Sequence, residues 1–551
     1  MTVGPARLGG HVVADQLVRH GVDTVFGVPG ESFLTILDGI WEQRDQIRFV
    51  TARHEATASH MAEAWGKLTG RPGVCLATRG PGATQASIGV HTAFQDSTPM
   101  LLLLGQVERA HMGREAFQEV DFEAMFAPLA KWAKQIEAAD DIPTVMARAF
   151  EIAMADRPGP VVLALPEDMQ RDLTHAFDAA RAEVAWREPD HAAIQQLHGW
   201  LGAAERPLLI VGGPRWDQAT ADMLAAWAGV SGIPVAAQFR RQDRIDNTAP
   251  AYVGDLGLGV NPRLAARVKE SDCVVLLGGR FGDVPSGGYT RLEIPKPTSG
   301  RLVHVHPEPS ELGKVYLPDL DICAAAPLVV EHLAARGPLV GGVRRAWADE
   351  LRADYDAWIR PAPRELVGVD MASVVTHLSD TLPDDAIITN GAGNYTVWVH
   401  RYFQHRRYGT QLAPTSGAMG YGIPAAIAAA LHDRSKTVVA FAGDGCFQMA
   451  GHELATAMQE GLRLVVIVAD NGMLGTIRMH QERAYPGHVE GTTLVSPDFV
   501  RLAEAYGCHA ERVDRDGDFP AAFERAVSAG RPALIHLICD PQAVTPSALL
   551  G

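Results

Sequence analysis

Apolar runs of strand length alternate with helical stretches along nearly the whole chain. From Gly10 to about Glu167, the runs TVFGVP, GVCLAT, MLLLLG and VVLALP alternate with stretches such as EATASHMAEAWGKLTG. A middle block contains LLIVGG, VVLLGG and RLVHVH, and a last block contains AIITNG, TVVAFAGDG, LVVIVADNG and ALIHLI. Strands that alternate with helices form βαβ units on parallel sheets. The pattern therefore predicts an α/β fold with three doubly wound parallel-sheet domains.

A polar, alanine-rich connection and a charged helical stretch separate these blocks. RDLTHAFDAARAEVAWREPDH follows the first block, and RRAWADELRADYDAWIR precedes the third. A chain of 551 residues has room for about three domains. We place the domains at residues 1–172, 190–337 and 360–545. GVCLATRGPGATQ and TVVAFAGDGCFQM each combine a strand, a Gly-x-Gly turn and the start of a helix. Either the first and third domains are duplicates, or they share a turn that is common in α/β folds.

Composition narrows the class of protein. The balance of 49 basic and 65 acidic residues gives a net charge of −16, which argues against nucleic acid or anionic membrane as a partner. The sequence has no signal-peptide pattern and no apolar stretch near the ~20 residues of a membrane span. The six cysteines include no CxxC pair, so neither a zinc site nor a disulfide framework is indicated. We expect small-molecule chemistry in a reducing cytoplasm.

One carboxylate stands between two glycines at the end of an apolar run. Asp444, between Gly443 and Gly445, either caps a following helix or binds a cation at the carboxyl end of a strand. Asn471 follows the next apolar run, and adjacent parallel strands end at one edge of a sheet. The Asp444 carboxylate, the Asn471 side-chain oxygen and the Met473 carbonyl would give three hard oxygen ligands for Mg²⁺. A helix that begins after Gly445 would direct free N–H groups at a phosphate, so the motif predicts a diphosphate site.

Other segments match the same kind of site. The GDG-to-Asn spacing resembles the thiamine diphosphate (ThDP) motif. RHEATASHMAEAWGKLTGRPGVCLATRGPGATQ is similar to the pyrimidine-domain signature of that superfamily, and SGAMGYGIPAAIAAAL to the segment that grips the middle of the cofactor. The chain thus resembles ThDP-dependent enzymes of the three-domain pyruvate oxidase/decarboxylase type. The resemblance implies an N-terminal pyrimidine-binding domain, a Rossmann-like middle domain and a C-terminal diphosphate-binding domain.

The resemblance assigns roles to individual residues. Glu55 would relay a proton at N1′ of the cofactor, although an acid in the first turn of a helix also fits the helix dipole. Met419 would bend the cofactor, or be an ordinary core methionine. Gly417 and the Met419 backbone would hydrogen-bond the aminopyrimidine, and Asn394 and Tyr395 would contact the diphosphate or shape a turn. The predicted cofactor-binding positions are Gly391, Asn394, Tyr395, Gly417, Met419, Gly443, Asp444, Gly445, Cys446, Asn471, Met473 and Gly475.

Within the superfamily the chain most resembles acetolactate synthase. Phe117-Gln118-Glu119 is similar to the AFQE loop of that enzyme, which implies that Phe117 lines the acceptor pocket and that Gln118 approaches the thiazolium. GRFGDVPSG is similar to the middle-domain loop RFDDR. The resemblance implies a carboligase that decarboxylates a 2-keto acid, forms an enamine on ThDP and transfers it to a carbonyl acceptor.

The chain departs from the synthase pattern at four places. Val284 replaces an arginine associated with FAD, and Glu167 replaces a lysine, so both departures argue against bound FAD. His480 replaces a tryptophan associated with acceptor choice, and PGESF places Glu31 and Ser32 near the usual PGGA. These departures leave open whether the substrate is pyruvate or another 2-keto acid.

Two residues near the third motif have open roles. Arg478 is either a ligand for a substrate carboxylate or a solvated helix residue. His480 is either a pocket acid/base or a surface residue.

Three alternatives to the synthase-type carboligase remain at this stage. They are a ThDP-dependent 2-keto acid decarboxylase or C–C lyase, a ThDP-binding homologue without catalysis, and a dinucleotide-binding protein, for which the glycine motifs are incomplete. Glu55 and Asp444 lie in different predicted domains. Because related enzymes complete each site with a second subunit, we expect a homodimer or homotetramer.

Overall fold

The structure, a computed structural model, describes residues 5–550, which form two compact units. The first unit comprises the described residues up to Ala185 together with Pro414–Arg434 and Gln448–Leu462. The second comprises Trp186–Ala413, Ser435–Phe447 and the described residues from Arg463 onward.

The amino-terminal part of the first unit alternates strands and helices. Its strands are β1 (Arg7–Leu8), β2 (Thr24–Gly27), β3 (Arg48–Thr51), β4 (Gly73–Ala77), β5 (Met100–Gln106), β6 (Trp132–Gln135), β7 (Pro160–Pro166) and β8 (Leu173–Thr174). Its helices are α1 (Gly9–Arg19), α2 (Leu34–Glu42), α3 (Glu55–Thr69), α4 (Gly80–Asp96), α5 (Phe122–Phe126), α6 (Ile142–Met154) and α7 (Glu167–Arg171). Six strands form a parallel sheet in the order β3-β2-β4-β5-β7-β6.

Helix α3 is fixed closely against this sheet. The His54 ring accepts a hydrogen bond from Ala56 N at the start of the helix, and Gly70 ends it at φ 66°. A Cβ at Gly73 would lie 1.8 Å from the Ala62 carbonyl oxygen, so only glycine permits this approach of helix and strand. The packing sets the position of Glu55, the first residue of α3.

The second unit contains a middle sheet with its own helices. The strands are β9 (Pro207–Val211), β10 (Val235–Gln238), β11 (Tyr252–Leu256), β12 (Cys273–Leu277), β13 (Arg301–Val305) and β14 (Leu320–Ile322). The helices are α8 (His191–Ala203), α9 (Gln218–Ser231), α10 (Pro262–Glu270), α11 (Asp283–Ser286), α12 (Ala326–Ala335) and α13 (Val343–Trp358). The parallel order β11-β10-β9-β12-β13-β14 is the doubly wound order of dinucleotide-binding folds.

The remaining elements follow in the carboxyl-terminal part of the chain. The strands are β15 (Ile387–Asn390), β16 (Gln411–Leu412), β17 (Val438–Gly443), β18 (Val465–Asp470), β19 (His509–Val513), β20 (Ala533–Ile538), β21 (Ala543–Thr545) and β22 (Ala548–Leu549). The helices are α14 (Met371–Thr381), α15 (Tyr395–Tyr402), α16 (Gly422–His432), α17 (Asp444–Gln448), α18 (Leu454–Gln459), α19 (Gly475–Ala484), α20 (Phe499–Ala505) and α21 (Phe519–Ser528). The third parallel sheet has the order β16-β15-β17-β18-β20-β19.

The predicted fold class is confirmed, since each of the three sheets is parallel, has six strands and is flanked by helices. The first and third sheets also have the same strand order when each is counted from its own first strand, which agrees with a duplication. The domain boundaries at 1–172, 190–337 and 360–545 stay a prediction. No helix within residues 5–550 is long and apolar enough to cross a membrane.

Candidate functional site

Two strands of the third sheet end side by side at the predicted diphosphate site. β17 and β18 pair in parallel, with Gly443 opposite Ala469. Asp444 directly follows β17, and Asn471 directly follows β18. The structure therefore brings both predicted metal ligands to one edge of the sheet, where open α/β sheets bind their ligands.

The Asp444 carboxylate lies against the turn that follows β18. One of its oxygens accepts a hydrogen bond from Gly445 N at 2.9 Å, and the other accepts one from Met473 N at 3.1 Å. The side chain is buried, and burial is the main cause that raises its pKa to about 7; hydrogen bonding from Gly445 opposes the shift, and the nearby Asp470 adds to it. A buried carboxylate beside a second acid, with an amide and a carbonyl oxygen in the adjoining turn, is a donor set that suits a hard cation such as Mg²⁺.

Asp470 holds this turn from the other side. Its Oδ1 accepts hydrogen bonds from Gly472 N at 3.0 Å and Ser496 Oγ at 2.9 Å, and its Oδ2 lies 2.9 Å from His536 Nε2. Burial alone would raise the Asp470 pKa, but the hydrogen bonds from His536, Gly472 and Ser496 lower it overall. Sequence reasoning missed this residue, although it stands directly before Asn471.

The helix after the GDG motif differs from its prediction. Helix α17 begins at Asp444 rather than after Gly445, and it is only five residues long. It is followed by a 3₁₀ turn, Gly451–Glu453, and by the short helix α18, so the residues after the motif do not form one continuous helix. The break falls at Ala450, whose φ of −143° lies outside the helical region.

The other cofactor positions of the second unit meet at the same edge. The Tyr395 hydroxyl accepts a hydrogen bond from Gly391 N at 3.0 Å and donates one to Cys446 Sγ at 3.5 Å. Asn394 Oδ1 accepts a hydrogen bond from Thr476 Oγ1 at 2.8 Å. The segments around residues 391–395, 443–446 and 471–476 are thus joined by side-chain bonds.

Two glycines allow this close arrangement. A Cβ at Gly443 would lie 3.2 Å from the Tyr395 ring, and a Cβ at Gly475 would lie 3.1 Å from Asn471 Nδ2. Both distances are tighter than ordinary van der Waals contacts, so a side chain at either position would displace a neighbour predicted to bind the cofactor.

The first unit holds the residues predicted to activate the cofactor. Glu55 is half-buried, and its Oε1 would lie 3.2 Å from a Cβ at Gly82 in α4. The Gln118 carbonyl accepts a hydrogen bond from Gly80 N at 3.0 Å, and Gln118 has a φ of 66°. Phe117 beside it is 73% exposed. Glu55 and Gln118 therefore both lie near the first turn of α4.

A buried ionic network fixes the segment that carries Gly417 and Met419. The Tyr421 hydroxyl donates to Glu63 Oε2 at 2.5 Å, and Thr415 N donates to Asp96 Oδ1 at 2.9 Å. Lys67 Nζ lies 2.8 Å from Asp96 and 3.2 Å from Glu63. Burial raises the Glu63 pKa, and the Lys67 charge acts against that shift. The sequence offered one weak signal for this network, the Glu63–Lys67 pair four residues apart on α3.

Gly417 and Met419 are both accessible to solvent, at least in part. Gly417 is exposed and adopts a φ of 70°, and Met419 is half-buried rather than part of the core.

The two substrate candidates on α19 have partners on their own helix. Arg478 forms an ion pair with Glu482 at 2.7 Å, and the exposed His480 lies 2.7 Å from Arg483. Both contacts favour the solvated alternatives, and the substrate roles of Arg478 and His480 stay predictions.

A second group of side chains has a geometry that suits a metal ion. His11 lies 2.8 Å from Asp38 and 3.3 Å from Glu42, on the facing helices α1 and α2. Both carboxylates are exposed, and such groups are common without an ion.

Three segments of the chain match family models of thiamine pyrophosphate enzymes. Residues 7–125 match the thiamine pyrophosphate enzyme N-terminal TPP binding domain, residues 194–333 the central domain, and residues 391–537 the C-terminal TPP binding domain.

Full-length relatives agree with these matches. The chain is 31% identical to the acetolactate synthase of Arthrospira platensis, over 96% of this chain and 93% of the relative. It is 30% identical to the acetolactate synthase isozyme 2 large subunit of Escherichia coli, over 97% of this chain and 95% of the relative. It is also 30% identical to a probable acetolactate synthase large subunit of Methanocaldococcus jannaschii, over 98% of this chain and 93% of the relative. The chain therefore belongs to the thiamine diphosphate-dependent enzymes, in the family of acetolactate synthase.

Proposed function

We propose that the protein is a Mg²⁺- and ThDP-dependent carboligase of acetolactate synthase type. It removes CO₂ from a 2-keto acid and joins the remaining fragment to a carbonyl acceptor. The observation that carries the proposal is the hydrogen bond from Met473 N to the Asp444 carboxylate, which brings Asp444 against the turn at Asn471–Met473 at the edge of the third sheet. The full-length similarity to acetolactate synthases supports the reaction class.

The residues of the second unit would hold the diphosphate. Asp444, Asn471 and the Met473 carbonyl supply oxygen ligands for Mg²⁺, which compensates the charge of the diphosphate. Other groups would make the remaining contacts with the diphosphate. They are the side chains of Asn394 and Tyr395 and the backbone groups of Gly391, Gly443, Gly445, Cys446 and Gly475.

The residues of the first unit would act on the aminopyrimidine. Bound ThDP supplies an electron sink for the bond between the keto carbon and its carboxylate. Glu55 holds and moves a proton at N1′, and Gly417 and Met419 orient the ring. Phe117 would line the acceptor pocket, and Gln118 would approach the thiazolium.

The donor keto acid need not be pyruvate, because the chain departs from the synthase pattern at Glu31, Ser32 and His480. A decarboxylase or C–C lyase with another 2-keto acid is the second candidate, and the same departures favour it. We further propose that catalysis is independent of FAD, since Val284 stands in place of the flavin-associated arginine. A cytoplasmic location fits the six cysteines, which form no disulfide in residues 5–550.

Product analysis tests the reaction class. Purified protein is incubated with ThDP, Mg²⁺ and a panel of 2-keto acids, with and without aldehyde and keto-acid acceptors. We expect CO₂ release that requires both ThDP and Mg²⁺, together with a 2-hydroxyketone product. CO₂ with only an aldehyde product would favour the decarboxylase, and no turnover of any 2-keto acid would contradict the proposal.

Loss of the carboxylate ligand tests the metal site. We expect Asp444→Ala to weaken Mg²⁺-dependent ThDP binding at least ~100-fold in titration calorimetry, because the site loses its anionic ligand. Asp514→Ala is the matched control, since the Asp514 side chain is 59% exposed in the same unit. Equal ThDP affinity in the Asp444 variant and the parent protein would refute the assignment.

The assembly proposed for the protein is a homodimer or homotetramer. In it, Glu55 of one subunit acts on cofactor that Asp444 and Asn471 of another subunit hold. Related enzymes share their sites between subunits in this way, and Glu55 and Asp444 belong to different compact units of the chain.

Mixing two inactive variants tests this assembly. Glu55→Gln should keep ThDP binding yet lose about 10²–10⁴-fold in activity, since an amide cannot relay the proton. After subunit exchange with Asp444→Ala, activity should recover to about a quarter of that of the parent protein. Random exchange makes half of the dimers mixed, and each mixed dimer has one intact site. No recovery despite demonstrated exchange, or a fully active monomer in sedimentation, would contradict the shared site.

A further inference from the structure

Three charged residues that the proposed mechanism does not use meet at the edge of the first sheet. Glu31 follows β2, Arg79 follows β4 and Glu167 follows β7, and all three strands end at the same edge. Arg79 Nη2 lies 2.9 Å from Glu31 Oε1 and 3.8 Å from Glu167 Oε2. Two departures from the synthase pattern, Glu31 and Glu167, thus face one guanidinium.

One edge of the Arg79 guanidinium, formed by Nε–H and Nη2–H, is only partly hydrogen-bonded. The residue is 9% exposed, and its Nε has no hydrogen-bond partner among the residues that the structure describes. Nε–H and the neighbouring Nη2–H lie on the same edge of the guanidinium and together bind a carboxylate through two parallel bonds. Glu31 occupies Nη2 alone. A buried donor without an acceptor is unfavourable, so this edge is suited to a carboxylate that fills both positions.

Glu31 is the partner that a ligand would displace. Its side chain is 70% exposed, whereas that of Arg79 is 11% exposed. The neighbouring Ser32 fixes the backbone through its hydroxyl bond to Thr78 Oγ1 at 2.9 Å. The Glu31 side chain therefore extends from an anchored loop into solvent and can turn away without a change of the fold.

Arg79 also lies next to the predicted reacting centre. It is the residue directly before α4, in whose first turn Gly80 binds the Gln118 carbonyl and Gly82 lies against Glu55. The backbone of Arg79 is thus within one helical turn of the two glycines that contact Glu55 and Gln118.

We propose that Arg79 binds a carboxylate which the substrate keeps throughout the reaction, and that this carboxylate displaces Glu31. The inference rests on the proposed function. The carboxylate that leaves as CO₂ is the wrong partner, because a strong bond to it would stabilise the ground state and be lost as the charge disappears. The substrate class is therefore a donor with a second, distal carboxylate, or an acceptor that carries a carboxylate.

Chain-matched probes test this specificity. As donors, 2-oxoglutarate is compared with 2-oxopentanoate; as acceptors, succinic semialdehyde is compared with butanal in the presence of the best donor. We expect kcat/KM in one of the two arms to favour the acid-tailed probe at least tenfold, and the arm identifies whether donor or acceptor carries the distal carboxylate.

Variants separate the guanidinium from general charge. Arg79→Gln should lower the ratio of acid-tailed to neutral probe at least tenfold, and Glu31→Gln should raise it, because the internal competitor is gone. Arg109→Gln is the matched control: it removes the same charge from the same edge, where Arg109 follows β5 and pairs with Asp168 and Asp172 rather than with Glu31 or Glu167. The ratio should be the same in this variant and the parent protein.

The outcomes distinguish this inference from the proposed function. Turnover of neutral 2-keto acids without any preference for the acid-tailed probes would overturn the inference and leave the carboligase intact. An equal fall for both probes in Arg79→Gln would also overturn it. No turnover of any 2-keto acid would refute the proposed function itself, and a titration of the protein with glutarate still tests Arg79. Weaker glutarate binding in Arg79→Gln than in Arg109→Gln supports the carboxylate site, and equal binding contradicts it.

Discussion

The hydrogen bond from Met473 N to the Asp444 carboxylate is the interaction on which the candidate site depends. It joins the end of β17 to the turn after β18, and the parallel register of the two buried strands fixes the height at which they meet. Asp470 secures the same turn through His536 on β20. The predicted oxygen ligands are therefore positioned by the sheet itself, and the Tyr395 and Asn394 contacts extend that arrangement to the neighbouring loops. A site built on sheet ends is held more precisely than one on free loops.

Much of this arrangement follows from the sequence because it is local. The apolar runs predicted the strands, and two polar residues that each follow a run predicted a shared edge. The bonds between distant segments were not predictable in this way. The contact of Asp470 with His536 on β20 depends on the order of strands in the sheet. The hydrogen bond from Tyr421 to Glu63 depends on how α3 packs against residues 414–421. The break at Ala450 was not predicted because the residues around it include no proline, and a single glycine such as Gly451 is tolerated within helices.

Two differences from the synthase pattern, Glu31 and Glu167, lie next to each other in the structure. Read one by one, Glu31 and Glu167 are unrelated substitutions, but both face Arg79 at the edge of the first sheet. Arg478 and His480 instead have partners on their own helix. The carboxylate site proposed at Arg79 gives the departures at Glu31 and Glu167 one shared role in substrate choice.

The most direct test of the central claim is to locate the metal. Crystals grown with ThDP and Mn²⁺ in place of Mg²⁺ would give an anomalous signal at the bound ion. The account predicts a peak about 2.0–2.3 Å from a carboxylate oxygen of Asp444, the side-chain oxygen of Asn471 and the carbonyl oxygen of Met473. A cofactor-dependent peak elsewhere, such as at His11, Asp38 and Glu42, with none at Asp444, would contradict it.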